Sequence, residues 1–339
     1  MELESLNSLS AALGADSSLI QGAGGNLSFK SGDRLIIKAS GTSMSQAKEK
    51  NIFTEVKISE ILGSLEAGND NLPPDPLTGH KPSIETLLHV VMPHPLVVHL
   101  HMLSAIIFAA MANGAEIIGQ KLNGLNFAFL DYHRPGLPLA LAARDAIKNF
   151  KSPPDILILK KHGLVLGANS RDELILLLND CIRRLDLPPR AMQQPRIDRL
   201  LPKNDLDWLI DSDPLPHNVA LDKTALNLAK SAPLYPDHLV FLGPVMLILG
   251  PSKPLALSVL DHTIRHGHQP KVAIIPEAGV LISPDASFGA VAMLKALALT
   301  GLRAPESVPI GGFEGLDANQ CRELMNFNAE SHRLKMDAY

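Results

Sequence analysis

Short apolar runs alternate with helix-periodic segments along most of this chain, and that alternation constrains the fold more than any other feature. The runs are Leu27–Lys30, Arg34–Lys38, Leu96–His101, Asp155–Lys160 and Leu164–Leu166, each of strand length. Gly32-Asp33 separates the first two as a hairpin turn. Helices are expected over Leu3–Leu13, ending near Gly14, and from Ser83, where Ile84, Leu87, Leu88 and Met92 recur at helical spacing. A further helix follows His101 to about Ala112, and another spans Arg171–Leu185 with Asp172 and Glu173 in its first turn. A chain that alternates strand and helix in this way predicts a layered α/β domain.

At 339 residues the chain exceeds one typical core, so two domains are expected. Prolines and polar residues accumulate between Leu187 and Asn218, which places a first domain at 1–190, a linker at 191–218 and a smaller α/β domain at 219–339. In the second domain strands are expected at Leu239–Leu242, Val245–Leu249, Lys271–Ile275 and Val280–Ile282. Helices are expected at Pro254–His266, Ser287–Leu299 and Gln320–Lys335. Leu72–Pro82, rich in Pro and Gly, is a break. There is one long-range echo. The stretch from Ile156 through His162-Gly163 to Gly167 resembles that from Val272 through Ala278-Gly279 to Ser283, and Pro93–His99 can be laid over Pro236–Leu242. The second domain is therefore expected to be a degenerate copy of the first, with Ala278 and Leu242 where His162 and His99 stand.

Composition closes off several classes of function. With 31 basic and 35 acidic residues the net charge is -4, so nothing argues for nucleic acid or an anionic membrane surface as partner. The most apolar stretch, Met102–Met111, is about half of what a bilayer requires. The N-terminus lacks the basic and apolar regions of a signal peptide. Cys181 and Cys321 stand far apart and outside any CxxC pair, which points to a reduced, cytoplasmic protein without a thiolate metal site.

His99-Leu100-His101 is either a metal-binding pair or two unrelated histidines at a strand end. Side chains alternate along a strand, so both imidazoles share one face and can reach one ion. The apolar setting of Val97, Val98 and Leu100 requires that such a pair find a partner. His162-Gly163, ending another apolar strand, offers a third nitrogen, and three histidines with open positions is an arrangement that catalytic zinc uses. Glu85 opens a helix, where a carboxylate also suits the macrodipole. Gly25-Asn26 and Ser40-Gly41-Thr42 are glycine-bearing turns able to present N–H groups to an anion.

Taken in order, Gly25-Asn26-Leu-Ser, Ala39-Ser40-Gly41-Thr42, Pro82-Ser83-Ile84-Glu85, His99-Leu-His101 and Lys161-His162-Gly163 resemble the motifs of the class II aldolase/adducin family over about the first 190 residues. The resemblance implies a three-layer α/β/α sandwich with a mainly antiparallel central sheet. It implies that His99, His101 and His162 bind a divalent ion, most commonly zinc, and that Glu85 is the acid/base. It implies that Gly25, Asn26, Ser40, Gly41, Thr42 and Ser83 hold a substrate phosphate, and that the chain forms a homo-oligomer. Two departures stand out. The sugar-phosphate aldolases usually carry a second serine where this chain has Ile84, and their tyrosine proton donors have no clear counterpart, Tyr132 being a weak match. The second half resembles a C-terminal extension of longer members, through Tyr235-Pro236-Asp237-His238 and Ile275-Pro276-Glu277. Asp237 and His238 either face a site or cap a strand, and the structural role is the favoured one.

The implied function is metal-dependent retro-aldol cleavage of a small ketose or sugar acid carrying a phosphate. The alternatives are a sugar-phosphate dehydratase or epimerase on the same site, or a non-catalytic adducin-like binding module. Retention of all three histidines argues against the last.

Overall fold

The computed structural model describes residues 3–75, 78–250, 253–308 and 312–327. A seven-stranded sheet organises the first half, with strands β1 (Asn26–Ser31), β2 (Arg34–Lys38), β3 (Phe53–Lys57), β4 (Leu96–Leu100), β5 (Phe127–Leu130), β6 (Ile156–Leu159) and β7 (Gly163–Ala168). Their spatial order is β3-β2-β1-β4-β7-β6-β5, and every neighbouring pair is antiparallel except β5–β6.

Both faces of the sheet are covered, which is why its central strands are apolar throughout. Leu96, Val98 and Leu100 of β4 join Ile156, Ile158, Leu164 and Leu166 on one face, beneath the helices Leu3–Gly14, Leu103–Ala109 and Arg171–Arg184. Val97, Leu157 and Val165 face the other way, toward Leu88, Leu139 and Ala143 of the helices Thr86–Val91 and Leu137–Lys148 and toward Met92, which follows the first of them. The result is the expected three-layer sandwich. By the same alternation His99 projects from the Val97 face, the face on which Glu85 begins its helix.

A second, smaller α/β unit contains β8 (Leu247–Ile248), β9 (Val272–Ile275) and β10 (Gly279–Ile282), ordered β10-β9-β8. It repeats part of the first unit. β5, a helix, β6, β7 and a helix correspond in order to β8, the helix Leu255–His266, β9, β10 and the helix Phe288–Arg303. The pair β8–β9 is parallel like β5–β6, and β9–β10 antiparallel like β6–β7. Even the turns agree: Lys161 and Glu277 have φ of 56° and 62°, and the following Gly163 and Gly279 have φ of 153° and 146°. Ala278 therefore does occupy the place of His162.

The other half of the echo fails. Pro236–Leu242, containing the expected strand Leu239–Leu242, is a helix closed by Gly243 at φ 86°. It has no relation to β4, and Leu242 is not a vestige of His99. All seven of its residues are buried, so the run carries no period by which to separate helix from strand. Pro236 at the first helical turn was the usable signal. The expected C-terminal helix is described over Ala318–Met325, and its remainder from 328 lies outside the described residues, as do 76 and 77 of the Leu72–Pro82 break.

The two units share a packed seam. Leu103, Ile106 and Ala110 of the first join Val240, Leu242, Met293 and Leu297 of the second in one apolar cluster. Between the units, Leu200 and Trp208 are buried with Ala273 and Leu281, and Leu209 pairs with Ile282. Arg190 grips Asp222 and also donates to the carbonyls of Gly301 and Ala304.

Candidate functional site

The antiparallel register of β4 with β7 sets Leu100 opposite Leu164 and His99 opposite Val165. His162, in the turn just before β7, is thereby delivered beside the strand end that carries His99 and His101. Gly163 permits the approach: a Cβ there would lie 2.2 Å from the Leu100 carbonyl oxygen. The three imidazole centroids are 4.8, 4.9 and 5.5 Å apart. One ring nitrogen from each falls within 4.8 Å of the others, and all three residues are buried.

Glu85, at the N-cap of the helix Thr86–Val91, closes the group. Its Oε1 lies 3.4 Å from Nε2 of both His99 and His162. Its Oε2 accepts a hydrogen bond from Asn26 Nδ2 at 2.8 Å, and the same amide donates to Ser83 Oγ at 2.8 Å. Asn26 reaches this position because it pairs with His99 across β1–β4. Ser83 Oγ also accepts from the Glu85 N–H, so its own proton is left to donate elsewhere. His99 Nδ1 lies 3.2 Å from the Leu164 carbonyl oxygen. A hydrogen bond donated there leaves Nε2 as the lone-pair nitrogen.

Burial pushes the Glu85 carboxyl up, but the surrounding imidazoles of His99, His162, His101 and His89 outweigh it and hold the group at about 2. Burial holds His99 well below the ordinary histidine range, and His89, beneath the site, is pushed down to about 3 by the same cause. The site therefore presents an ionised Glu85 carboxylate and holds His99 against protonation, and a divalent cation requires both of its ligands. The donor set fits such an ion on a second ground. His99 Nε2 and Glu85 Oε1 are buried and make no hydrogen bond, a costly state that a cation among them relieves.

Of the expected anion-holding residues, Gly25, Asn26, Ser40, Gly41 and Ser83 line one cavity together with Glu85, His101 and His162. Thr42 does not line it; its hydroxyl donates to the Ala39 carbonyl at 2.8 Å and serves the turn. Ile84 stands on the wall shared with a neighbouring cleft of about 410 Å³ that also exposes Lys81 and Arg134. Tyr132 lies away from the cavity, packed against Leu239, Leu316 and Leu324.

One charged cavity residue carries no mark in the sequence motifs, and for a second the sequence leaves two roles open. Lys38, 2% exposed at the end of β2, lines the cavity and donates to the carbonyls of Ala23 and Thr42 at 3.0 and 2.8 Å. A lysine between Ile37 and Ala39 on an inward strand was the available signal. The second is Asp237, for which the structure favours the site-facing alternative over the strand cap. The helix Pro236–Leu242 brings it in from the second unit with its Oδ2 3.2 Å from His101 Nδ1, and it lines the same cavity. Its neighbour His238 does remain structural, with Nδ1 3.4 Å from the Leu234 N–H.

A three-layer sandwich carrying a buried three-histidine cluster and an adjoining carboxylate defines a candidate metal-dependent enzyme. Residues 6–180, just over half of the chain, match the class II aldolase and adducin N-terminal domain, and the chain belongs to that family. Among curated proteins it is similar to YuxG of Bacillus subtilis (strain 168), described as an uncharacterized oxidoreductase. The two are 27% identical over 190 residues, which is 50% of this chain and 27% of that protein. The chain thus spans about a quarter of that relative's length. Among solved structures it is similar to the N-terminal class II aldolase domain of a conserved protein from Thermoplasma acidophilum, at 22% identity and a TM-score of 0.46, covering 55% of this chain and 92% of that one. It is also similar to an L-fuculose 1-phosphate aldolase, at 18% identity and a TM-score of 0.39, covering 62% and 90%. No helix among the described residues is long and apolar enough to cross a membrane.

Proposed function

We propose that this protein is a metal-dependent aldolase that cleaves a carbon–carbon bond in a small ketose or sugar acid bearing an anionic group. The observation that carries the reading is the convergence of one ring nitrogen from each of His99, His101 and His162 to within 4.8 Å of the others, with the Glu85 carboxylate 3.4 Å from Nε2 of His99 and His162. In this reading His99, His101 and His162 hold the ion, zinc being the best match to the donor set. A divalent ion held there supplies Lewis-acid polarisation of a substrate oxygen.

The chain's own groups do the rest. Glu85, ionised in the folded protein, takes and returns the proton at the nucleophilic carbon. Asn26 holds the carboxylate in orientation through Oε2, leaving Oε1 toward the cluster. Ser83, the Ser40-Gly41 turn, Gly25 and the Lys38 ammonium face the same cavity and suit the substrate's anion. Because Ile84 removes one hydroxyl donor from that wall, Lys38 carries more of the load, and a carboxylate is as acceptable there as a phosphate. We assign this catalysis to residues 1–190, with 191–218 joining them to a unit at 219–339, and expect a cytoplasmic homo-oligomer.

The test has two stages. Metal analysis of the purified protein is expected to find about one divalent ion per chain; no bound and no bindable ion overturns the reading. Ketose 1-phosphates and free sugar acids are then screened for aldehyde release. Loss of water from the substrate with no aldehyde released makes the protein a dehydratase instead.

A further inference from the structure

We propose that Asp237 is a positioning residue for the metal centre, so that the second unit completes a site whose other parts all lie in the first. The inference rests on the metal-dependent reading above and extends it to a residue outside the family's matched segment, which ends at 180.

A carboxylate that is 1% exposed is costly unless something in its surroundings compensates. Here Oδ2 of Asp237 lies 3.2 Å from Nδ1 of His101, whose side chain is also buried. His99 already has the Leu164 carbonyl beside its Nδ1. His101 Nδ1, by contrast, makes no hydrogen bond, and a small rotation of the ring aims its N–H at Asp237. That hydrogen bond fixes the tautomer and turns Nε2 outward, the arrangement by which a carboxylate orients and strengthens a histidine ligand. Asp237 is not itself part of the three-nitrogen group, so its action runs through His101.

The surroundings are built for this contact. Tyr235 and His101 meet in a T-shaped ring contact at 6.0 Å between centroids, and the Tyr235 hydroxyl is anchored to Met293 Sδ, which holds the start of the Asp237 helix against the site. Gly24 leaves room on the opposite side. A Cβ there would lie 2.7 Å from His101 Nδ1 and 2.9 Å from Asp237 Oδ2, directly in the contact.

The experiment measures zinc affinity of the full chain by competition with a chromophoric chelator, for wild type, Asp237→Asn and Gly24→Ala. The two variants disturb the same contact from different sides, and cooperative thermal melts confirm that each is folded. Both are expected to bind zinc about 10 to 100 times more weakly than wild type, while still reaching one ion per chain at saturation. Affinities within threefold of wild type in the folded variants overturn the role of Asp237 and leave the metal reading standing. A wild-type chain that binds no divalent ion overturns the metal reading and this inference together. If Asp237→Asn does not fold, Gly24→Ala decides by the same threshold.

Discussion

Replacing Glu85 with glutamine separates proton transfer from metal holding. Asn26 Nδ2 donates to Ser83 Oγ and to Glu85 Oε2, so both amide hydrogens are engaged. A glutamine at 85 must then turn its carbonyl oxygen to Asn26. Its NH2 consequently occupies the place of Oε1, 3.4 Å from Nε2 of His99 and His162. An amide so placed neither takes nor returns a proton, and a general acid/base of this kind contributes roughly 10²–10⁴ in rate. That is about 3–5 kcal/mol of transition-state stabilisation at about 1.4 kcal/mol per factor of ten. Loss of the neighbouring negative charge weakens the ion by about 10- to 100-fold, so one equivalent remains at saturating zinc. The assays are aldehyde release on the substrate found by screening, exchange of the substrate carbon-bound proton into D2O by NMR, and metal content after desalting into zinc-containing buffer. Turnover and exchange should fall together by at least 100-fold with the ion retained. Turnover within tenfold of wild type refutes the acid/base role, and complete loss of metal at saturation shows Glu85 to be a ligand.

Three further outcomes follow from the same geometry. Ile84→Ser restores a hydroxyl on the cavity wall, and one hydrogen bond to a charged group is worth about 1.5–3 kcal/mol; KM for phosphorylated substrates should drop by tenfold or more, and an unchanged KM would place the anion elsewhere. Gly163→Ala puts a Cβ 2.2 Å from the Leu100 backbone oxygen, where no side chain can yield. It should destabilise the protein by about 3 kcal/mol or more in urea titrations, with loss of metal at the disrupted strand pair; a wild-type urea transition with full metal content would refute that close contact. His89 and His238 are pushed down to about 3 and about 4 by burial, so both are neutral when folded and take up protons near 6.5 on unfolding. Their contribution is complete above pH 6.5 and is lost as pH falls toward 4 and 3. Between pH 7 and 5 the loss is about 2 kcal/mol for each, measurable by denaturation at the two pH values, and a flat profile would refute it.

Much of the first unit was open to inference from local pattern. The hairpin at Gly32-Asp33, the strand Leu96–Leu100 and the helix Arg171–Arg184 follow from turn chemistry and periodicity, which act over a few residues. The sequence alone also put His99 and His101 on one strand face, because the period of a strand is two. It marked the turn before Gly163 and its echo before Gly279, since a backbone at positive φ favours glycine. Tertiary structure decided what depends on register and on contacts between distant segments. Pairing of Leu100 with Leu164 brought His162 to the cluster, pairing of Asn26 with His99 brought the amide to Glu85, and Lys38 was turned inward by the layers around it. The helix at Pro236–Leu242 shows the limit most plainly. Buried on every side, it leaves no periodic trace, and only the packing of the second unit on the helix Leu103–Ala109 carries Asp237 to His101, 136 positions away in the chain.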